Sequence, residues 1–361
     1  MDSKKMKYLI FGFITSLLTI SLLVSACAPA APTGNGEAVK PAEVFEWDVS
    51  TYASAGVTWD VLPLMAEYLE DMSDGRMIWS VTAPGVICPV EEQMEFVAMG
   101  SAEAMSIASG YYSGKIPIAF LPTNASGLLR DPSEMYDMYE VFEGGRMQEI
   151  FEEEYAKFGD IHIAGNLFRD LGGVFFSKVP VYTIDDIKGV KWRASEQTAK
   201  ALDILGAATT WVPGSEIYTL LATGAVDTAN FGGADTNMKM SFHEVTNYWL
   251  RWPSLTGPSC DELIVNGTAW NKLPSDLKAM VEVATAAGTR YATYTDRIGN
   301  ARAFAIVSAD YGIELIRWSE EDANKWSEAL RIVLQDYIVD DATQEAVDIM
   351  ERFMIEMGYW Q

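Results

Sequence analysis

Hydrophobic and polar positions follow two periods along this chain, and the periods take turns in a repeating order. "FEWDVSTYA" (45–53) alternates at every second residue and predicts a strand. "TWDVLPLMAEYLEDM" (58–72) sets Val61, Leu62, Met65 and Leu69 on one helical face. "RMIWSVTA" reads as a strand, "VEEQMEFVAMG" as a helix closed by Gly100, and "AEAMSIAS" as a short strand. The second half repeats the order. "GVKWR" is a strand. "SEQTAKALDILG" is a helix with Ser195 as N-cap and Gly206 as its stop, followed by the strand "ATTWVP". "SEIYTLLATG" is a helix capped by Ser215 and stopped by Gly224, and "AVDTANF" is the last strand. "FVAMGSAEAM" and "LLATGAVDTA" echo each other at the same place in each unit. The pattern predicts an α/β chain of two lobes, each with a parallel-rich sheet, facing one another.

Beyond "DELIVNGTAW" the pattern turns helical. Ser275 is expected to cap a helix from about 276 to 309, long enough to cross between lobes and brace a hinge. "SEED" (319–322) has the form of a capping box, and the last helix, ending near "MGYW", reads as amphipathic and packed on a lobe. The expected division is a leader at 1–26 and a tether at 27–43. The first lobe takes 44–164 plus about 252–285, and the second takes 165–251 plus about 286–361.

The leader has a basic start at Lys4, Lys5 and Lys7, an apolar run from Leu9 to Val24, and small residues before Cys27, which predicts a secretory signal peptide. Val24-Ser25-Ala26-Cys27 resembles a bacterial lipobox, which implies lipid on Cys27 and attachment to a membrane. The Ala/Pro/Gly-rich stretch that follows reads as a flexible tether. No later stretch is apolar enough to span a bilayer. The expected location is therefore the periplasmic or extracellular face.

The net charge of −25 argues against nucleic acid and against adsorption to anionic lipid. An anionic ligand would need its own local cation. Arg193, at the end of the "GVKWR" strand, is placed for that task, because ligands of open α/β sheets sit beyond the carboxyl ends of the strands. Its alternative is an idle, solvated strand end. Cys88 and Cys260 are candidates for a disulfide in an oxidising compartment, but their separation in sequence decides nothing. His162 and His243 show no metal-ligand spacing. The chain has no GxSxG elbow, HExxH, P-loop or dinucleotide fingerprint, so it is not expected to be an enzyme, and no cofactor is expected.

Taken together, "SGYYSGKIP", "TIDDIKGVKWR", "LGAATTWVPGSEIYTLLATGAVDTANF" and "AWNKLPSDLK" resemble the DctP family, the extracytoplasmic solute-binding proteins of tripartite ATP-independent periplasmic (TRAP) transporters. The likeness runs from about residue 45 to 345 and is most specific from Ile184 to Phe231. It implies a two-lobed, type II-like periplasmic-binding-protein fold with the ligand in the cleft. It also implies capture of a small organic acid and delivery to membrane permease subunits driven by an ion gradient. The binding protein of an ATP-driven importer, or less readily a secreted α/β enzyme, is the alternative.

By that resemblance Arg193 clamps the ligand carboxylate, whose two oxygens match the guanidinium fork. Asn230 and Phe231 line the cleft, Phe231 against the carbon skeleton. Arg169 in "NLFRDLGG" is a second candidate, balanced against a surface role. Tyr111 and Tyr112 follow a strand at the cleft mouth, one facing ligand and the other core. Trp252, Trp211, Asp170, Asp235 and Asp261 are weaker candidates. Some branches of the family hold Na⁺ or a divalent cation against the ligand, with an acidic residue where this chain has Asn230. Hard cations want anionic or carbonyl oxygens, so ligand binding without a metal is expected, with Asp170 or Asp261 as the residues that would rescue a metal site.

Overall fold

The structure, a computed structural model, describes residues 43–53, 56–124, 127–170, 174–194, 196–212, 214–252 and 257–360. The leader and residues 27–42 of the tether, Cys27 included, lie outside them, as does the expected cap Ser195.

Two mixed sheets carry the fold. The first has the order β2-β1-β3-β10-β4, built from β1 (Phe45–Thr51), β2 (Met77–Thr82), β3 (Ala104–Ile107), β4 (Ile161–Asp170) and β10 (Pro258–Asn266). The second has the order β11-β9-β5-β8-β6-β7, from β5 (Phe175–Ser177), β6 (Lys191–Arg193), β7 (Ala208–Thr210), β8 (Thr228–Asn230), β9 (Tyr248–Trp252) and β11 (Glu314–Arg317). The two βαβαβ units legible in the sequence form corresponding parts of both sheets. β1 pairs in parallel with β2 and β3, and β6 in parallel with β7 and β8. Each unit is then extended by an antiparallel strand from elsewhere in the chain, β10 beside β3 and β5 beside β8. All nine residues of β10 are buried, because it has a strand on each side and side chains packed on both faces.

The helices of the first unit are α1 (Val57–Ser73) and α2 (Gln93–Ala98), and those of the second are α4 (Glu196–Ile204) and α5 (Ile217–Thr223), with α6 (Ala234–Lys239) following β8. Val61, Leu62, Met65 and Leu69 of α1 are buried as the helical spacing predicts. Ser215 lies in a tight turn at 214–216, and Glu216 stands at the N-cap of α5.

The bracing helix, α7 (Ser275–Tyr311), has 37 residues and is roughly 55 Å long at 1.5 Å per residue. Pro274 is its N-cap rather than Ser275, and it ends at Gly312 in the left-handed region (φ 68°). Leu277, Val281 and Ala284 join the core of the first sheet with Val61 and Met65. Ala303, Phe304 and Val307 join the core of the second with Phe176, Phe242 and Trp249. Gly288 permits the close crossing with α1: a Cβ there would meet Met65 Sδ at 2.8 Å.

The expected lobe boundaries need correction in two places. β4 keeps residues 165–170 in the first sheet, and β9 places 252 in the second. The C-terminal helices also divide. α8 (Glu320–Gln335), N-capped by Ser319, packs on α4, whereas α9 (Asp341–Glu356) returns to α3 (Arg146–Phe158) of the first lobe. There Phe353 meets Phe142, and Arg146 pairs with Glu345 at 2.8 Å. An amphipathic pattern states that a helix packs, not what it packs on.

Candidate functional site

Strand ends from both sheets supply the polar groups of the site. β6 ends on Arg193, β8 on Asn230, β4 on Arg169 and Asp170, and Tyr52 follows the end of β1.

Arg193 is buried at 5% exposure. Its Nε and Nη2 donate to the Val212 carbonyl at 3.0 and 2.8 Å, and Nη1 donates to the Asn230 carbonyl at 2.6 Å. Among the described residues no carboxylate pairs with it. Burial therefore pulls the guanidinium down to about 10, opposed in part by the Tyr111 phenol. The Phe231 ring lies 5.7 Å from the guanidinium, and Gly214 leaves room for it: a Cβ there would sit 2.4 Å from the ring. The Asn230 side chain is enclosed, and its Oδ1 accepts no hydrogen bond from the described residues.

Arg169 has the opposite surroundings. Nη1 lies 3.2 Å from Asp261 and Nε 3.1 Å from Asp296. Nη1 also donates to the Thr58 hydroxyl. Asp261 accepts the Tyr52 hydroxyl at 2.7 Å and the Thr58 hydroxyl at 3.1 Å. Burial alone would lower Arg169, but the carboxylates of Asp261 and Asp296 more than offset it, and it is raised. Burial raises Asp296, against the pull of Arg169. Burial and then Asp261 raise the Tyr52 phenol.

Tyr111 joins the two clusters. It is 61% exposed, stands edge-on to Tyr52 with centroids 6.0 Å apart, and lies within electrostatic reach of Asp261 and Arg193. Tyr112 is in the core instead. It is 1% exposed, and its hydroxyl donates to the Val90 carbonyl at 2.6 Å. The short turn at Ser109–Tyr112 sends neighbouring side chains in different directions, so a ligand contact at Tyr112 is corrected to a packing role. Asp170 closes β4, and its carbonyl accepts from Asn300 at 3.0 Å. Trp211 is exposed, and Asp235 pairs with Lys239 at 2.6 Å. The side chain of Trp252 lies outside the described residues.

Cys88 and Cys260 are both free and buried, so the disulfide considered for them is not formed. The Cys260 thiol instead donates to Asn166 Oδ1 at 3.5 Å.

Three contributors escaped the sequence reading: Tyr52, Thr58 and Asp296. Asp296 had a signal. On α7 the buried positions run through Gly288, Ala292, Asn300, Ala303 and Val307, and Asp296 falls on that stripe. Thr58 sits likewise among the buried positions of α1. Glu262 follows Asp261 on β10 and points to the other face, where Tyr155 donates to it at 2.6 Å. Burial pushes its carboxyl up to about 8.

These residues suit a cation poorly. Both Asp261 oxygens are engaged by Tyr52, Thr58 and Arg169, and a guanidinium beside them repels a metal. Among the described residues no group of three or more His, Cys, Asp and Glu is placed to hold one.

Two sheets of matching order joined by one long helix, with polar strand ends turned toward a common site, define a two-lobed solute-binding architecture. The chain belongs to the DctP family, described as bacterial extracellular solute-binding protein, family 7, whose sequence profile matches residues 51–340. A monocarboxylate 2-oxoacid-binding periplasmic protein of Nostoc sp. is 30% identical over 225 residues, which are 61% of this chain and 59% of that protein. A TRAP periplasmic solute-binding protein of Rhodobacter sphaeroides in an apo open structure superposes with a TM-score of 0.76 at 21% identity, covering 88% of this chain and 99% of its own. Another, from Colwellia psychrerythraea with bound calcium and pyruvate, superposes at 0.74 with 21% identity, covering 88% and 96%. The family consists of binding proteins for transport, not enzymes. Among the described residues no helix is long and apolar enough to cross a membrane.

Proposed function

We propose that this chain captures a small organic acid between its lobes and delivers it to the membrane permease of a TRAP transporter, held at the membrane by lipid on Cys27. One observation carries the reading: Arg193 is a buried guanidinium at a strand end, opposed by two main-chain carbonyls and by no carboxylate among the described residues. Of its five N–H groups, three are engaged. The two that remain match the two oxygens of a carboxylate. Asn230 holds the guanidinium from below, Phe231 offers an apolar wall, and Tyr111 offers a hydroxyl across the cleft. The names of the Nostoc and Colwellia relatives, which speak of a 2-oxoacid and of pyruvate, support the same class of solute. The direct test is titration calorimetry of the full chain against a panel of mono- and dicarboxylates, with Arg193→Ala as control. Absence of binding to every acid in the panel overturns the reading. The lipid tether is tested by Cys27→Ser, which is expected to leave the protein unprocessed or release it from the membrane fraction; lipid-labelled, membrane-bound variant protein contradicts it.

A further inference from the structure

We propose that Asp261 and Asp296 set the charge of the solute, admitting acids with one carboxylate and turning away those with two; this rests on the carboxylate reading above. The two walls carry different charges. The Arg193 wall offers two unengaged N–H groups, enough for one carboxylate held by both oxygens. On the other wall Arg169 has its Nη1 against Asp261 and its Nε against Asp296. One guanidinium between two carboxylates leaves that wall with no positive charge to give. The groups around it are hydroxyls: Tyr52 and Thr58, both donating to Asp261, and the exposed Tyr111 between the walls.

A solute anchored on Arg193 therefore presents its far end to phenols and a compensated acid cluster. A keto, hydroxyl or apolar end is accommodated there. A second carboxylate would lose its water and meet Asp261 where the neighbouring guanidinium, Arg169, is already shared by two carboxylates, and like charges brought together at an interface are strongly disfavoured. The cluster also explains why a second arginine at the cleft does not make a second anion site. The two acids stand on different elements, β10 and α7, and the guanidinium they share stands on a third, β4.

The experiment measures the full chain by titration calorimetry against pyruvate, 2-oxobutyrate and monomethyl malonate on one side, and malonate and succinate on the other. Malonate and its monomethyl ester differ by one charge on the same skeleton, so that comparison needs no variant. The expected result is tighter binding of the singly charged acids by roughly tenfold or more. Asp261→Asn and Asp296→Asn, checked for folding by thermal unfolding, are expected to narrow that ratio by raising affinity for the doubly charged acids. Equal binding of both classes by the wild type, or folded variants that keep the wild-type ratio, overturns this inference and leaves the carboxylate reading intact. Binding of neither class removes the carboxylate reading and this inference together.

Discussion

Arg169 and Arg193 are two buried guanidiniums at the ends of strands in different sheets, and their surroundings could hardly differ more. Arg169 touches two carboxylates and the Thr58 hydroxyl, and Tyr52 joins the network through Asp261. Among the described residues Arg193 donates only to main-chain carbonyls, beside the Phe231 ring. The electrostatic consequence has opposite signs: carboxylates raise Arg169 in spite of its burial, and burial lowers Arg193. A buried charge that already has its partners is structural, and one that lacks them is available to a ligand. Type and position in sequence did not separate these two residues; only their neighbours do.

Arg169→Gln is expected to have the largest effect. If the residue is structural, removing it leaves Asp261 and Asp296 buried without a cation, and stability in urea is expected to fall by about 3–5 kcal/mol. A variant as stable as wild type would place Arg169 with the ligand instead. Arg193→Ala is expected to do the reverse, retaining the fold while weakening the best acid ligand by about 2–5 kcal/mol. Arg193→Lys should also bind less well, since the fork is lost; undiminished calorimetric affinity in either variant would end the assignment.

The contrast extends to neighbouring acids on β10. Asp261 has a cation, whereas Glu262, on the other face, has the Tyr155 hydroxyl and a carboxyl raised by burial from 4.5 to about 8. A carboxyl raised in the folded state binds its proton more tightly there than in the unfolded chain. Its stabilising contribution is thus complete below 4.5 and is lost as pH rises through about 8. Denaturation series from pH 5 to 9 should show that decline, flattened in Glu262→Gln; a matching slope in both proteins would refute the assignment. The smallest effect is expected at Tyr111→Phe, which removes one hydroxyl from the cleft mouth and should weaken an acid bearing a keto or hydroxyl group by about 0.5–1.5 kcal/mol. Unchanged calorimetric affinity for such an acid would separate Tyr111 from the solute.

Much of the fold was legible because it is locally encoded. The period-two and period-3.6 segments around Val49, Met65, Trp192 and Leu221 gave two βαβαβ units, and both are present in the expected order. What escaped was the antiparallel strand added to each unit. β10 and β5 carry no mark of which neighbour they will join, since pairing is settled by side chains far away in the chain. The same holds for α9, whose apolar stripe is plain but whose return to α3 is not.

The candidate site divides along the same line. The sequence alone determined that a cation ends the strand at Arg193, that Asn230 and Phe231 come at the end of the strand "AVDTANF", and that one helix is long enough to join two lobes. These are properties of short segments, fixed by period, capping and chain order. The fold in three dimensions settled that Tyr112 is buried and Tyr111 exposed, that Arg169 is held by Asp261 and Asp296, and that Cys88 and Cys260 stay apart. Those outcomes depend on groups distant in the chain, as Arg169 and Asp296 are at 127 residues apart. Whether a buried charge is compensated is a property of its neighbours in space, and a linear sequence does not contain that distance.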